Sequence, residues 1–142
     1  MTRTLAAGYT LRGDAPPLTD YLELRRVSGL SEKTPEQGVA ALEGSWAFRH
    51  VVDPNGTVVG MGRIIGDGGW YFLIADMATL PEHQGRGIAS AILDALLNHI
   101  RASAPAGPYV TLTADPPGRR LYESRGFTDV APAATGMHLR LS

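Results

Sequence analysis

The sequence predicts a mixed α/β domain built on one sheet that is partly antiparallel and partly parallel. Apolar residues follow helical spacing in some stretches and form short strand-like runs in others. Two strand-like runs within residues 46–65 are joined by a tight turn, which favours an antiparallel hairpin. Strands on both sides of a later helix imply a crossover connection and parallel pairing. The expected element order is βααβββαβαββ.

The beginning of the chain predicts one short strand and one helix. Residues 9–12 alternate weakly, as a short strand would. The pair Pro16-Pro17 then precedes residues 18–27, whose apolar side chains lie close to helical spacing. We therefore expect a strand at 9–12 and a helix at 18–27.

A second helix has a clear start signal. Thr34 is a favourable N-cap, Pro35 suits the first helical position, and Gln37 stands three residues after the cap. Together these residues are typical of a helix N-terminus. The helix should be short and should end near Gly44.

Three strands should follow the second helix. Residues 46–52 and 57–65 each form a predicted strand, and the Asp-Pro-Asn-Gly turn at 53–56 joins them into a hairpin. Residues 70–79 form a long apolar run that a single acid, Asp76, interrupts. A nearly continuous apolar strand usually lies in the middle of a sheet, so we expect this strand to be central.

The last part of the chain predicts two more helices and three strands. One helix has a wide apolar face, and an Asp-Pro-Pro sequence opens a shorter one. The predicted elements are a helix at 88–100, a strand at 109–113, a helix at 115–125, and strands at 127–130 and 137–141.

Length and composition fit one globular domain over residues 1–142. A chain of 142 residues with 44% hydrophobic content can bury a proper core and has no room for two domains. The sequence has no cysteine, which excludes disulfides, thiolate metal ligands and a cysteine nucleophile. Its four histidines have no metal-like spacing, so we expect no metal.

The charge and hydropathy patterns exclude two kinds of partner. The net charge is −1, and no basic run could neutralise several phosphates, so we expect no nucleic acid partner. No stretch approaches the roughly 18–20 apolar residues that span a bilayer. The N-terminal stretch lacks a sustained apolar region, so we expect no signal peptide. The expectation is a soluble, cytoplasmic protein without a membrane partner.

The most specific feature is the segment Gln-Gly-Arg-Gly-Ile-Ala at 84–89, between the apolar strand and the next helix. The first turn of a helix presents backbone N–H groups without intrahelical partners, and the helix dipole favours an anion there. Small residues at Gly85, Gly87 and Ala89 let a phosphate approach the backbone, and Arg86 adds a charged donor. The segment therefore predicts a phosphate-binding loop.

Two well-known phosphate loops do not match this segment. A dinucleotide fingerprint needs a third glycine where Ser90 stands, and it belongs to the first strand–helix unit of a domain. A Walker loop needs a Gly-Lys-Ser/Thr ending, which is absent. A glycine-rich helix start without any ligand is the alternative that spacing alone leaves open.

Two motifs together resemble the GNAT superfamily of N-acetyltransferases. Gln84, Gly87 and Ala89 satisfy the family's acyl-CoA motif, [Q/R]-x-x-G-x-[G/A], within residues 76–91. Residues 121–127, Leu-Tyr-Glu-Ser-Arg-Gly-Phe, resemble the family's late L-Y-x-x-x-G-F element. One helix and one strand separate the two motifs, and with the element order the resemblance covers most of the chain.

The resemblance implies a fold and a cofactor site. The central strand and the strand after the helix should splay apart, with helices flanking the sheet and the pantetheine of acetyl-CoA in the cleft. Backbone groups near Met77 and Thr79 would pair with pantetheine, and N–H groups of the loop would hold the pyrophosphate. The residues that the resemblance assigns to the cofactor are Met77, Ala78, Thr79, Gln84, Gly85, Arg86, Gly87, Ile88, Ala89 and Ser90.

Two residues are candidates for proton transfer. Tyr122 matches the tyrosine that donates a proton to the CoA sulfur in the resembling family; the alternative is a helix tyrosine that packs on the core. Asp76 is the candidate base, directly or through water, because a buried acid near the cofactor loop suits that role. The competing interpretation makes Asp76 a structural acid that holds a neighbouring loop through Arg63 or backbone N–H groups.

The expected function is transfer of an acetyl group from acetyl-CoA to a primary amine of a small molecule. An amino acid, an aralkylamine or a polyamine would be the acceptor, and it would attack directly in a ternary complex. A non-catalytic acyl-CoA-binding or regulatory domain and acetylation of a protein amine are the alternatives. Since GNAT proteins often dimerise, the resemblance also implies a homodimer.

Overall fold

The computed structural model describes residues 4–142. Residues 1–3, which begin the N-terminal stretch interpreted above, lie outside the described part. The described chain up to Leu112 forms one compact unit, and Thr113–Ser142 forms a second. The single domain over 1–142 stays a prediction. Within residues 4–142, no helix has both the length and the apolarity needed to cross a bilayer.

One five-stranded sheet organises the first unit, with the strands in sequence order. The first four strands pair antiparallel, and the last pair is parallel. This arrangement confirms the predicted mixed sheet. The strands are β1 (Thr10–Arg12), β2 (Ala47–Val52), β3 (Val58–Gly66), β4 (Tyr71–Thr79) and β5 (Tyr109–Thr111). The helices are α1 (Leu18–Val27), α2 (Pro35–Gly44), α3 (Ile88–Ser103) and, in the second unit, α4 (Arg119–Ser124).

The two faces of β3 pack against different helices because successive side chains point to opposite sides of a strand. Met61 is fully buried in a cluster with Tyr21 and Leu24 of α1. Gly60 faces α3, where an added Cβ would lie 2.4 Å from Ile88 Cγ2. The absence of a side chain at Gly60 therefore lets the first turn of α3 lie directly on the sheet.

The predicted start of α2 is confirmed as a capping box. The Thr34 hydroxyl accepts the Gln37 N–H at 3.1 Å, and Gln37 Oε1 accepts the Thr34 N–H at 2.9 Å. Both bonds satisfy donors that a helix start would otherwise leave without a partner.

Removing the Thr34 cap should therefore lower stability by a modest and defined amount. We expect Thr34→Ala to cost about 1 kcal/mol, which corresponds to a fall in Tm of about 2–4 °C. Thr34→Ser is the matched control because it keeps the hydroxyl and should stay close to the parent protein. Thermal unfolding followed by circular dichroism measures both, and equal Tm values for Ala and Ser would contradict the role of the cap.

The two predicted strands at 127–130 and 137–141 are wrong. The Phe127 N–H bonds to the Tyr122 carbonyl, and the Ala134 N–H bonds to the Val130 carbonyl, so this stretch closes local turns instead of a ladder. Asp129 also accepts the Ala131 N–H. Residues 137–141 form no strand, and Met137 and Leu139 are exposed. A period-two pattern forms a strand only where a neighbouring strand supplies the ladder.

Candidate functional site

Strand β4 is paired on both sides over only part of its length. Strand β5 pairs with Tyr71, Phe72 and Leu73, the first three residues of β4. From Ile74 to Thr79, no strand of the described chain pairs with that edge of β4. The predicted splay is thus present. On the β5 side, the stretch Met77–Thr79 has no strand partner in the described chain, and this is where the family resemblance implies pantetheine.

A bulge in β4 lies just before that stretch. Arg63 pairs with Ala75 and Met61 pairs with Ala78, so two steps along β3 correspond to three steps along β4. Asp76 occupies the bulge with φ of 55°, and it is the only non-glycine with positive φ in residues 4–142. This conformation is unfavourable for a side chain with a Cβ, and it persists only where surrounding contacts hold it.

Contacts of the Asp76 carboxylate supply that constraint. Arg25 Nη1 donates to Asp76 Oδ1, while Arg63 Nε donates to Oδ2 at 2.8 Å. The Tyr21 hydroxyl also donates to Oδ2. The Asp76 side chain is only 8% exposed. Because both carboxylate oxygens accept hydrogen bonds, these contacts support the interpretation of Asp76 as a structural acid. Arg63 is the partner that the sequence suggested.

The environment of Tyr21 keeps its hydroxyl protonated. Burial raises the pKa of Tyr21 to about 12, and the hydrogen bond and negative charge of Asp76 act in the same direction. The positive charges of Arg63 and Arg25 oppose this shift more weakly. Tyr21 therefore remains a hydrogen-bond donor to Asp76 at neutral pH.

A cavity of about 230 Å³ lies beside this cluster in the first unit. Its lining residues are Tyr21, Arg25, Lys33, Gln37, Ala41 and Arg63. Among them, the sequence suggested a role near the site only for Arg63, and Gln37 was expected only at the start of the second helix. One signal was present: Arg25 continues the helical spacing of Leu18, Tyr21 and Leu22 in α1, and it is buried. A cation at a buried helix position needs a partner.

The predicted phosphate loop precedes α3 and presents an open helix N-terminus. Gly87 is the N-cap residue, in the left-handed region with φ of 78°. No side chain caps this helix, and no acid lies in its first turn. The N–H groups of Ile88, Ala89 and Ser90 therefore start a 16-residue helix without a local negative charge, as an anion site requires.

Gly87 also has a packing role that the sequence did not reveal. An added Cβ would lie 2.3 Å from the Thr4 carbonyl oxygen and 2.7 Å from its carbon. The neighbouring Arg86 carbonyl accepts the Ala6 N–H at 2.9 Å. A side chain at Gly87 would thus displace the segment at 4–6, so binding by this loop is better tested at another position.

Tyr122 lies in α4 of the second unit. Its ring meets Phe127 edge-on, with 5.9 Å between the ring centroids. Burial raises the pKa of Tyr122 above its ordinary value, and the charge of Asp115 raises it further. The phenol therefore stays protonated at neutral pH, which suits both a proton donor and a packing residue. Asp76 and residues 77–90 all belong to the first unit.

No group of three or more potential metal ligands occurs within residues 4–142.

Comparison with known proteins identifies the family. The model of the acetyltransferase (GNAT) domain matches residues 45–129. A "Probable Acetyltransferase" of meticillin-resistant Staphylococcus aureus is 34% identical, with a TM-score of 0.87, covering 94% of this chain and 99% of that one. A GNAT family acetyltransferase of Streptococcus pneumoniae is 26% identical, with a TM-score of 0.77, covering 94% and 98%.

More distant structures agree in fold. Glucosamine-6-phosphate N-acetyltransferase of Arabidopsis thaliana has a TM-score of 0.71 at 14% identity, covering 94% of this chain and 99% of that one, and this likeness shows the fold alone. No curated protein sequence matches the chain at a significant level. The family model and the staphylococcal structure together suffice: the chain belongs to the GNAT family and is an acyltransferase.

Proposed function

We propose that the protein is an N-acetyltransferase that moves the acetyl group of acetyl-CoA to a primary amine of a small molecule. The observation that carries the proposal is the pairing of β4. Its last six residues, Ile74–Thr79, have no strand partner on the β5 side in the described chain, and the uncapped N-terminus of α3 follows them. A cofactor with a peptide-like arm and a pyrophosphate fits these two features.

The arm and the pyrophosphate would be held by different groups. Pantetheine contains amides, so it can bond to the free edge of β4 near Met77 and Thr79, as an added strand would. The pyrophosphate is an anion, and the N–H groups from Gln84 to Ala89 would receive it at the start of α3. Arg86 is exposed beside this loop and adds a positive charge.

The chemistry makes one proton transfer more demanding than the other. An alkylammonium of pKa about 10.4 must lose its proton before it attacks, which costs roughly 4.6 kcal/mol at pH 7. The thiolate that leaves has a pKa near 8.5, so it is already a tolerable leaving group. We assign Tyr122 to proton donation at the sulfur. Asp76 is either the base or the residue that orients Arg25 and Arg63.

The size of the cavity in the first unit supports a small acceptor. Its volume of about 230 Å³ lies below the range of roughly 300–1,000 Å³ typical of pockets for drug-sized ligands. A compact amine or one end of a longer molecule would fill it. Screening amines and amino acids for release of free thiol from acetyl-CoA tests the proposal, and no release with any amine would contradict it.

The loop assignment can be tested by placing a charge at Ser90. Ser90 is the third residue of α3, where a glutamate favours the helix but repels a phosphate. We expect Ser90→Glu to fold normally and to weaken acetyl-CoA binding by at least tenfold, about 1.4 kcal/mol. Isothermal titration calorimetry measures this change.

The neutral variant Ser90→Gln separates charge from size. It has nearly the same volume as the Glu variant and should keep most of the affinity. If both variants bind acetyl-CoA equally well, the start of α3 does not hold the pyrophosphate.

A further inference from the structure

We propose that the cavity bounded by Arg25, Lys33 and Arg63 binds an oxyanion, carboxylate or phosphate, carried by the acceptor amine. The inference rests on the proposed N-acetyltransferase function and names its substrate class: a small amine that also bears an anionic group. No part of the family assignment specifies this class.

The cavity is lined by an excess of positive charge. Three of the six lining residues are cations, and none is an acid. Asp76 pairs with Arg25 and Arg63, so it neutralises one of these three positive charges. The residues around the cavity therefore carry a net positive charge, although the net charge of the whole chain is −1. Uncompensated positive charge in a partly buried site is unfavourable, and an incoming anion would relieve it.

Lys33 contributes a charge that no acid of the described chain neutralises. It forms no ion pair within residues 4–142, although Glu32 and Glu36 are close in sequence. By contrast, the exposed Arg26 pairs with Glu23 at 2.6 Å. A lysine at the rim of a cavity is a mobile point charge that can approach carboxylates and phosphates alike.

Arg63 and Gln37 have N–H donors that could bind an anion. Arg63 uses Nε for Asp76 and Nη1 for Ser45 Oγ at 3.2 Å, whereas Nη2 bonds to no acceptor in the described chain. No buried side-chain nitrogen or oxygen of that chain lacks a partner, so Nη2 must be accessible. Gln37 uses its Oε1 to accept the Thr34 N–H, which leaves its amide N–H groups for a ligand.

The two arginines of the cavity are held in place before any ligand arrives. Arg25 donates from Nε and Nη2 to the Ser31 carbonyl at 3.1 and 2.9 Å, and from Nη2 to Ser31 Oγ at 3.1 Å. Its side chain is 10% exposed. Guanidinium groups ordered in this way lose little entropy on binding an anion.

The position of the cavity links it to the reaction. Asp76, which holds Arg25 and Arg63, immediately precedes Met77, where the predicted pantetheine stretch of β4 begins. An oxyanion held by Arg63 and Lys33 would therefore anchor the acceptor close to the β4 bulge. The amine would be the part of the acceptor left free to reach the thioester.

Matched acceptors test the proposal directly. Phenylalanine and phenethylamine differ by a carboxylate, so comparing their rates measures the effect of that group. Phosphoethanolamine and ethanolamine differ in the same way by a phosphate. We expect kcat/KM, measured by thiol release, to be at least about tenfold higher for the anionic member of one or both pairs, equivalent to 1.4 kcal/mol. Lys33→Gln should remove most of this preference, because it should lower kcat/KM for the anionic member of the pair. Arg26→Gln, an exposed cation on α1, is the matched control and should leave the preference intact.

A second measurement does not depend on turnover. Lys33 is the only lysine in the sequence, so an N-hydroxysuccinimide ester should acylate Lys33 and the α-amino group, which serves as an internal reference. Inorganic phosphate or a small carboxylate should slow acylation of Lys33 relative to that reference, as measured by mass spectrometry. Chloride at equal ionic strength should not.

The outcomes separate this inference from the proposed function. Protection by phosphate alone or by carboxylate alone supports the inference and identifies the anion. Equal acceptor rates within both pairs, or unprotected Lys33 with both anions, would overturn it even if thiol release is brisk. Absence of thiol release with every amine, together with protected Lys33, would instead overturn the acetyltransferase proposal and leave an oxyanion site.

Discussion

Replacing Tyr122 by Phe should slow acetyl transfer by roughly 10²–10⁴-fold, the usual contribution of a general acid. The loss should fall on kcat, because the bond from the phenol to the sulfur strengthens only as the thioester breaks. The affinity for acetyl-CoA should change little, since the ring and its contact with Phe127 are kept. Turnover should persist at a reduced rate because a thiolate of pKa near 8.5 can leave unaided.

The pH dependence gives a second observable for Tyr122. Its pKa is raised above the ordinary value of 10.0 by burial and by Asp115. A raised pKa means that the phenol keeps its proton at neutral pH, and that the midpoint of its deprotonation lies above pH 10. Any alkaline limb that this group gives in the wild-type kcat profile should therefore have its midpoint above pH 10.

The control for Tyr122→Phe is the same change at a different tyrosine, one that lies away from the β4 bulge. Tyr71→Phe changes an exposed residue at the first position of β4 and should leave kcat unchanged. If Tyr122→Phe also has normal kcat on a good acceptor, with chemistry limiting the rate, Tyr122 is a packing residue. The sulfur would then take its proton from water or from the substrate.

Local signals made much of the fold predictable from the sequence. The hairpin between β2 and β3 follows from its turn, where Asp53 Oδ1 accepts the N–H groups of Asn55 and Thr57 at 2.9 Å. The start of α2 follows from Thr34 and Gln37 in the same way. Each of these features depends on bonds between residues at most four apart, so the residues that form them can be found in one short window.

Features that depend on distant contacts could not be predicted. The positive φ of Asp76 is held by Arg25 and Tyr21, which lie 51 and 55 residues earlier in the chain. The cavity lined by Arg25, Lys33 and Arg63 arises only when α1, α2 and β3 pack together. The sequence therefore predicted a loop, two titratable residues and Arg63 as one partner of Asp76, whereas the roles of Arg25 and Lys33 came from the structure.

Replacing Asp76 by Asn should destabilise the protein by about 3 kcal/mol, at the lower end of the cost of breaking a buried ion pair. The amide removes the negative charge and leaves Arg25 and Arg63, which are 10% and 15% exposed, facing each other without a counter-charge. At about 2–4 °C per kcal/mol, Tm should fall by about 10 °C. Thermal unfolding measures this change, and Glu43→Gln, an exposed acid on α2, is the matched control.

The pH profile of the same variant distinguishes the two roles of Asp76. A base that relays the amine's proton is needed most below pH 7, where little free amine exists, so its loss would be largest there and would shrink as pH rises. A residue that only orients Arg25 and Arg63 would give a defect of similar size at every pH. Because donors already engage both carboxylate oxygens, we expect the constant defect together with the lower Tm. A defect that disappears at high pH with an unchanged Tm would instead make Asp76 the base.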